Sequence, residues 1–112
     1  MDIVEKPWGS YEDFYRSSQV VFKTITVKPH SQLSLQSHTK RGEIWILIEG
    51  EAYISNGIAK HKLNLLRPIM INRLSKHRLI NESDFDCTIA ELQFGECEEE
   101  DIIRYEDDYG RE

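Results

Sequence analysis

Short runs rich in Val, Ile, Thr and aromatic residues recur along the chain, and several alternate apolar with polar at a period of two. That pattern predicts half-buried strands. Nine candidates stand out: SYEDFY (10–15), VVFKTITV (20–27), QLSLQ (32–36), EIWILIE (43–49), EAYIS (51–55), IAKHKL (58–63), RPIMIN (67–72), HRLIN (77–81) and CTIAELQF (87–94). Turn-forming residues separate them at Lys28-Pro29-His30, Glu49-Gly50-Glu51, Ser55-Asn56-Gly57 and Asn81-Glu82-Ser83-Asp84. Asn56-Gly57 predicts a hairpin with a type I′ turn. No helical stripe precedes the tail, where EEEDII has the length of one short turn. So many short strands predict an all-β sandwich or barrel, and a small barrel leaves a mouth in which ligands bind. With no repeat, linker or low-complexity segment, residues 1–112 are expected to form one domain.

Composition changes this picture little. The 112 residues are 39% hydrophobic and 30% charged, ordinary for a globular domain. No apolar run is long enough to cross a bilayer, so no membrane association is expected. MDIVEKPWGS lacks the features of a secretion signal. Cys87 and Cys97 form no C-x-x-C pair, and reduced thiols in a cytoplasmic protein are expected. The net charge of −6 is uneven, with −7 from Glu96 onward and +1 before it. No basic stripe with interleaved aromatics exists, so nucleic acid is not an expected partner. The acidic tail reads either as a solvated terminus or, through Ile102, Ile103, Tyr105 and Tyr109, as a segment pinned to the body.

The candidate chemistry lies in LSLQSHTKRGEIWILIEG (33–50). In a strand Gln36 and His38 share a face with Ser34 and Gln32, while Leu33 and Leu35 point the other way. Either the leucines face the core and the polar residues face water, or Gln36, His38 and Glu43 are donors to a metal. Trp45 alternates in phase with Leu47 and reads as core. His30 follows a proline in a turn and reads as exposed. Lys40 and Arg41 sit between the candidate donors, and Arg73, Lys76 and Arg78 flank His77.

The spacing resembles the two motifs of the cupin superfamily. Gln36-Ser37-His38, a four-residue gap, Glu43 and six residues to Gly50 follow the first, with His30 in place of its leading glycine. His77, three residues and Asn81 follow the second, with Asn72, Arg73 and Leu74 in place of its Pro-x-Gly. A closer resemblance covers nearly the whole chain: KPWGSYE, KTITVKPHSQLSLQSH, Arg41-x-Glu43-x-Trp45, His77-Arg78-Leu79-x-Asn81 and DIIRYEDDYGR are similar to the type II mannose-6-phosphate isomerase domain. In that family the domain often follows a mannose-1-phosphate guanylyltransferase, which this sequence has no room for. Where the family resembles QSHHHRAEHW, this chain has Thr39, Lys40 and Ile44 in place of histidines.

The resemblance implies a cupin-type double-stranded β-helix (a jelly-roll barrel) with Gln36, His38, Glu43 and His77 holding a divalent transition metal: Zn, Mn, Fe or Co. It implies interconversion of mannose 6-phosphate and fructose 6-phosphate, a small-molecule sugar phosphate as partner, and a homodimer. Arg41, which keeps the Arg-x-Glu spacing, is the first choice for substrate contact and catalysis, with Lys40 beside it and Lys76 and Arg78 as further phosphate donors. The proton-transfer group stays open: Glu43 is occupied as a ligand, Lys40 needs a depressed pKa, and His61 has no place at the mouth that sequence can fix. Trp8, Trp45 and Tyr53 suit either sugar stacking or the core. Two other functions fit the same residues, a non-catalytic sugar-phosphate-binding cupin and an epimerase or ketoisomerase acting on a nucleotide-linked sugar.

Overall fold

The computed structural model describes residues 2–98 and 100–111. Among them lie twelve strands: β1 (Ile3–Lys6), β2 (Gly9–Arg16), β3 (Val20–Val27), β4 (Ser31–Gln32), β5 (Leu35–Ser37), β6 (Arg41–Glu49), β7 (Tyr53–Ser55), β8 (Lys60–Lys62), β9 (Ile69–Ile71), β10 (Arg78–Asn81), β11 (Cys87–Gly95) and β12 (Ile103–Glu106). They form antiparallel sheets of order β1-β2-β3-β11-β6-β9, β4-β10-β7-β8 and β12-β5. No described helix is long and apolar enough to cross a membrane.

Period-two alternation places a residue from each of β3, β11 and β6 in successive inward tiers. Val27 pairs with Cys87, and Ile25 lies beside Ile89 and Leu47. These join Trp8, Ala52, Leu63, Ile71 and Leu79 in the apolar core. Full burial of an aliphatic side chain such as Leu79 or Ile89 contributes about 1.5–3 kcal/mol. The next tiers are polar: Lys23 with Glu91 and Trp45, then Val21 with Gln93 and Glu43. Lys23, Glu43, Glu91 and Gln93 are all buried. The barrel interior therefore grades from a dry end to a polar end, and the polar end carries the site.

Three sequence expectations change. QLSLQ splits into β4 and β5, and Ser34, Leu35, Ser37 and His38 are all buried, because both sides of this segment are covered. The Asn56-Gly57 connection is a four-residue loop rather than a two-residue type I′ turn. There Asn56 Oδ1 accepts from Ile58 N and Ala59 N, both at 2.9 Å, so the side chain organises the loop. The tail adds a strand to the short turn expected of it: after the turn in which Asp101 N donates to the Glu98 carbonyl at 3.2 Å, β12 pairs with β5. Asp101 then clasps the loop before β6, accepting from Thr39 N (2.9 Å), Thr39 Oγ1 (2.7 Å) and Lys40 N (2.8 Å). Ser37 Oγ and Tyr105 Oη lie 2.9 Å apart, and Arg78 donates to Glu106.

His30 and Leu74, which stand at glycine positions of the motifs this sequence resembles, both adopt left-handed backbone with φ of 54° and 71°. The turn geometry is thus kept without glycine, and Leu74 N donates to the His38 carbonyl at 2.8 Å. A left-handed L-residue costs roughly 1–2 kcal/mol, of which glycine gives back part as about 0.5–1 kcal/mol of unfolded-chain entropy. Leu74 is 65% exposed and loses little packing. Leu74→Gly is expected to raise stability by up to about 1 kcal/mol in urea unfolding. Gly50→Ala is expected to cost about 2 kcal/mol or more, since φ is 83° and a Cβ would lie 2.5 Å from the Asp86 carbonyl oxygen.

The tail clasp is also a pH element. Burial works to raise the pKa of Asp101, but its bonds from Thr39 and Lys40 outweigh that and hold it below the usual aspartate range. A carboxyl depressed in the folded state stabilises above its unfolded pKa, about 4, and that contribution disappears as pH falls through the folded value. Melting temperature measured from pH 5 downward should fall, and Asp101→Asn should start lower at pH 5 with a shallower decline. Parallel curves for the two proteins would contradict this role.

Candidate metal centre

His38 lies between β5 and β6, Glu43 is in β6, and His77 immediately precedes β10. The segments are joined by backbone bonds: Gln36 N donates to the His77 carbonyl at 3.0 Å and His77 N to the Gln36 carbonyl at 2.8 Å. Candidate ligand atoms of His38, Glu43 and His77 all lie within 4.8 Å of one another, and the three residues are 2%, 1% and 2% exposed.

The imidazoles face Glu43 with their lone pairs. His38 Nδ1 is 2.6 Å from the Asp101 carbonyl oxygen, and His77 Nδ1 is 3.0 Å from that of Ser75. A carbonyl only accepts, so each Nδ1 carries the hydrogen and, in the neutral ring, each Nε2 presents a lone pair, which in His38 accepts from Arg41 NH2 at 3.2 Å. His38 Nε2 is 3.2 Å from Glu43 Oε2, and His77 Nε2 is 3.5 Å from Oε1. His77 Nε2 is buried without a hydrogen-bond partner. Two imidazole lone pairs turned on one carboxylate, one of them orphaned, is the donor set of a divalent transition metal.

The electrostatics agree. Burial alone would raise the pKa of Glu43, but His38, Glu91, His77 and Arg41 together hold it well below the usual carboxylate range. Burial holds His77 below the ordinary histidine value, partly offset by Glu43. Glu91 is pushed well above the usual range by burial and by Glu43 beside it. The two carboxyls are driven apart, Glu43 toward the ionised form and Glu91 toward the protonated one.

A cavity of about 160 Å³ adjoins the trio, with Gln36, Arg41, Trp45, Glu91, Gln93 and Arg104 among its lining residues. Arg41 lies between the two: its Nε donates to Glu43 Oε2 at 3.1 Å and its NH2 lies 3.2 Å from His38 Nε2. Trp45 Nε1 donates to Glu43 Oε1 at 3.0 Å, so Trp45 is both core and site wall. Gln36 lines the cavity beside His77, its Oε1 accepting from Ser34 Oγ at 3.1 Å. A larger open groove of about 880 Å³ runs past Met70, Leu74 and Phe94 and contains none of the trio.

Three expected site residues take other roles. Lys40 is exposed and bonded to Glu98 at 3.2 Å. Glu98 and then Glu96 raise its pKa, the opposite of what a base needs. Lys76 is exposed and lies over the Tyr105 ring at 4.2 Å. Arg78 is spent on the Leu33 carbonyl and on Glu106, pinning the tail rather than reaching the cavity. His61 is exposed on β8. Sequence reading missed Lys23, Glu91 and Gln93, and it missed Arg104. The signal for the first three was a polar residue at an inward position of VVFKTITV or CTIAELQF.

Residues 2–107 match the family described as mannose-6-phosphate isomerase C-terminal. Xanthan biosynthesis protein XanB of Xanthomonas campestris is 38% identical over 109 residues, and alginate biosynthesis protein AlgA of Pseudomonas aeruginosa is 39% identical over 109. Mannose-1-phosphate guanylyltransferase ManC of Salmonella typhimurium is 36% identical over 110. Each alignment covers 96% of this chain but only 23% of the relative, so the chain spans about a quarter of the length of these proteins. Among solved structures, capsular polysaccharide assembling protein CapF from Staphylococcus aureus superposes over 93% of this chain and 34% of its own, with a TM-score of 0.80 at 15% identity. A sugar phosphate isomerase from a cupin superfamily, from Silicibacter pomeroyi, superposes over 76% of this chain and 58% of its own, with a TM-score of 0.69 at 16% identity. The fold is the cupin-type double-stranded β-helix.

Elemental analysis should find one transition metal per chain after purification without chelator. His77→Ala should lose most of it, because removing one of a small set of ligands costs far more than removing a distant side chain. His61→Ala should retain it. Equal metal in the two variants would exclude this centre.

Proposed function

The chain belongs to the mannose-6-phosphate isomerase C-terminal family, and we propose that it is a metal-dependent aldose–ketose isomerase interconverting mannose 6-phosphate and fructose 6-phosphate. The observation that carries this reading is the pair of inward-facing imidazole lone pairs on a buried, ionised carboxylate, next to a cavity whose walls bear cations.

The reaction moves a proton between C1 and C2 and places negative charge on oxygen on the way. A divalent ion held by Gln36, His38, Glu43 and His77 would supply Lewis acidity to the substrate carbonyl and to the oxygen that gains charge. Arg41 adds hydrogen-bond donors at the same point, since it touches both His38 and Glu43 and also faces the cavity. Proton transfer needs a carrier on the cavity wall, and Glu91 is the only carboxyl lining it among the described residues. Gln93 and Trp45 fix the walls between these groups. At about 160 Å³ the cavity is below the usual range for ligand sites, which favours a hexose phosphate over the larger nucleotide-linked sugar.

One feature favours a second reading. Arg41 stands between the trio and the cavity, and a protein that only binds a sugar phosphate would need no passage past it.

Protein loaded in turn with Zn²⁺, Mn²⁺, Fe²⁺ and Co²⁺ should turn over mannose 6-phosphate, and fructose 6-phosphate in reverse, with at least one metal. Arg41→Lys should lower turnover, and Arg41→Ala should lower it by roughly 30- to 1000-fold. Glu91→Gln should lower kcat with metal content unchanged, since an amide keeps the shape but cannot carry the proton. If every metal form binds mannose 6-phosphate without turnover, the protein is a binding cupin.

A further inference from the structure

The isomerase reading leaves one group without a task. Arg104 lies on β12, its backbone paired with Gln36 of β5, and its side chain lines the cavity. Its Nε is buried and has no hydrogen-bond partner, and among the described residues no carboxylate forms an ion pair with it. The residue as a whole is half-buried, and a guanidinium nitrogen that is out of water with no acceptor carries an unmet hydrogen-bonding demand. Most surface arginines avoid this by turning outward, and the tail has acidic residues on every side to receive one.

Arg104 is not alone. Lys6, Lys23 and Arg111 line the same cavity. Lys23 is buried, 4.4 Å over the Tyr11 ring and 3.6 Å from Asp13 Oδ1. Arg111 is aimed by Asp107, its Nε 2.8 Å from Oδ2 and its NH2 3.1 Å from Oδ1. Three separate segments, the end of β1, the middle of β3 and the tail, thus each bring a cation to this cavity. Glu91, the cross-strand neighbour of Lys23, is its sole carboxyl among the described residues. Burial and the neighbouring Arg111 lower the pKa of Arg104, partly offset by Asp107.

We propose that Arg104, with Lys6, Lys23 and Arg111 around it, is the phosphate-binding end of the cavity, taking the phosphomonoester dianion of a sugar phosphate. This deepens the isomerase reading by giving the substrate a direction: sugar carbonyl toward the trio and Arg41, phosphate toward the tail arginines. A dianion supplies the acceptor that Arg104 Nε lacks, and a guanidinium fork binds phosphate oxygens two at a time. It also gives the −7 tail a reason to carry its two arginines. Asp107 bonds Arg111 and sets its angle, while Arg104 Nε is left without a hydrogen-bond partner.

The site can be read without catalysis, by calorimetric titration of the metal-loaded protein with inorganic phosphate and with mannose 6-phosphate, and with mannose as the uncharged control. Arg104→Met keeps the aliphatic stem and strand pairing while removing the charge. It should weaken phosphate and mannose 6-phosphate binding by about 10- to 100-fold, leave metal content unchanged and raise KM more than it lowers kcat. Lys6→Met, on a different strand, should weaken the same ligands less and reads the site independently should Arg104→Met not fold. Phosphate affinity within twofold of wild type in both variants would overturn the subsite, even in an active isomerase. Loss of phosphate binding in a protein without isomerase activity would uphold it and remove only the catalytic reading.

Discussion

Glu43 is an ionised carboxylate with 1% exposure, and burying such a charge is affordable only where every lone pair meets a donor or a cation. Trp45 Nε1 donates to one oxygen and Arg41 Nε to the other, while the Nε2 lone pairs of His77 and His38 face the same carboxylate and call for a cation between them. Each of those partners is itself constrained. Trp45 is a core residue two positions along the same strand, so β6 must be in register for its indole to reach back. His77 is held by the backbone exchange with Gln36. Moving β6 by one residue would turn Glu43 outward and Ile44 inward, and the trio would not exist.

His38 shows how far this dependence extends. Its ring is oriented by the backbone carbonyl of Asp101, 63 positions later, and the same residue's carboxylate holds the loop through Thr39 and Lys40. Thr39 and Lys40 replace histidines of the pattern that the sequence resembles, yet their backbone amides are the groups Asp101 uses, and any non-proline residue supplies those. The substitutions therefore leave the clasp intact. The tail is acidic overall, but at the site it acts through a carbonyl, one carboxylate and two arginines. Its net charge says little about what it does there.

Much of the fold was legible because alternation is a local signal. All nine runs read as strands contain strand, and the inward faces of β3, β6 and β11 follow the expected period. β1 and β12 were not legible: Ile3, Val4 and Ile103 are exposed, so those strands exist through pairing rather than through a buried apolar face. At the site, the spacing of His38, Glu43 and His77 pointed to residues that the fold does bring together. Lys76 and Arg78 misled because adjacency in sequence to a ligand does not fix direction. In β10, Arg78 faces opposite to its neighbour Leu79 and meets the tail. Glu91 and Arg104 were hidden for a different reason. A polar residue in an alternating strand looks solvent-facing until the phase is compared with its neighbours, and Arg104 turns inward only because β12 pairs with β5.

The cavity draws on residues from position 6 to position 111, and this distribution couples the site to the whole fold. The trio needs β5, β6 and β10 and, through the Asp101 carbonyl that orients His38, the tail. The cationic wall needs the first strand, the third and the tail in place at once, so it forms only when the barrel is closed at both ends of the chain. Asp13 and Asp107 offset two of these cations, while Arg104 Nε keeps no partner. A dianion would supply one, and binding to the folded state alone stabilises it by mass action. A phosphate bound there would become part of the structure, much as a metal on the trio would meet the His77 lone pair that the protein leaves without a partner.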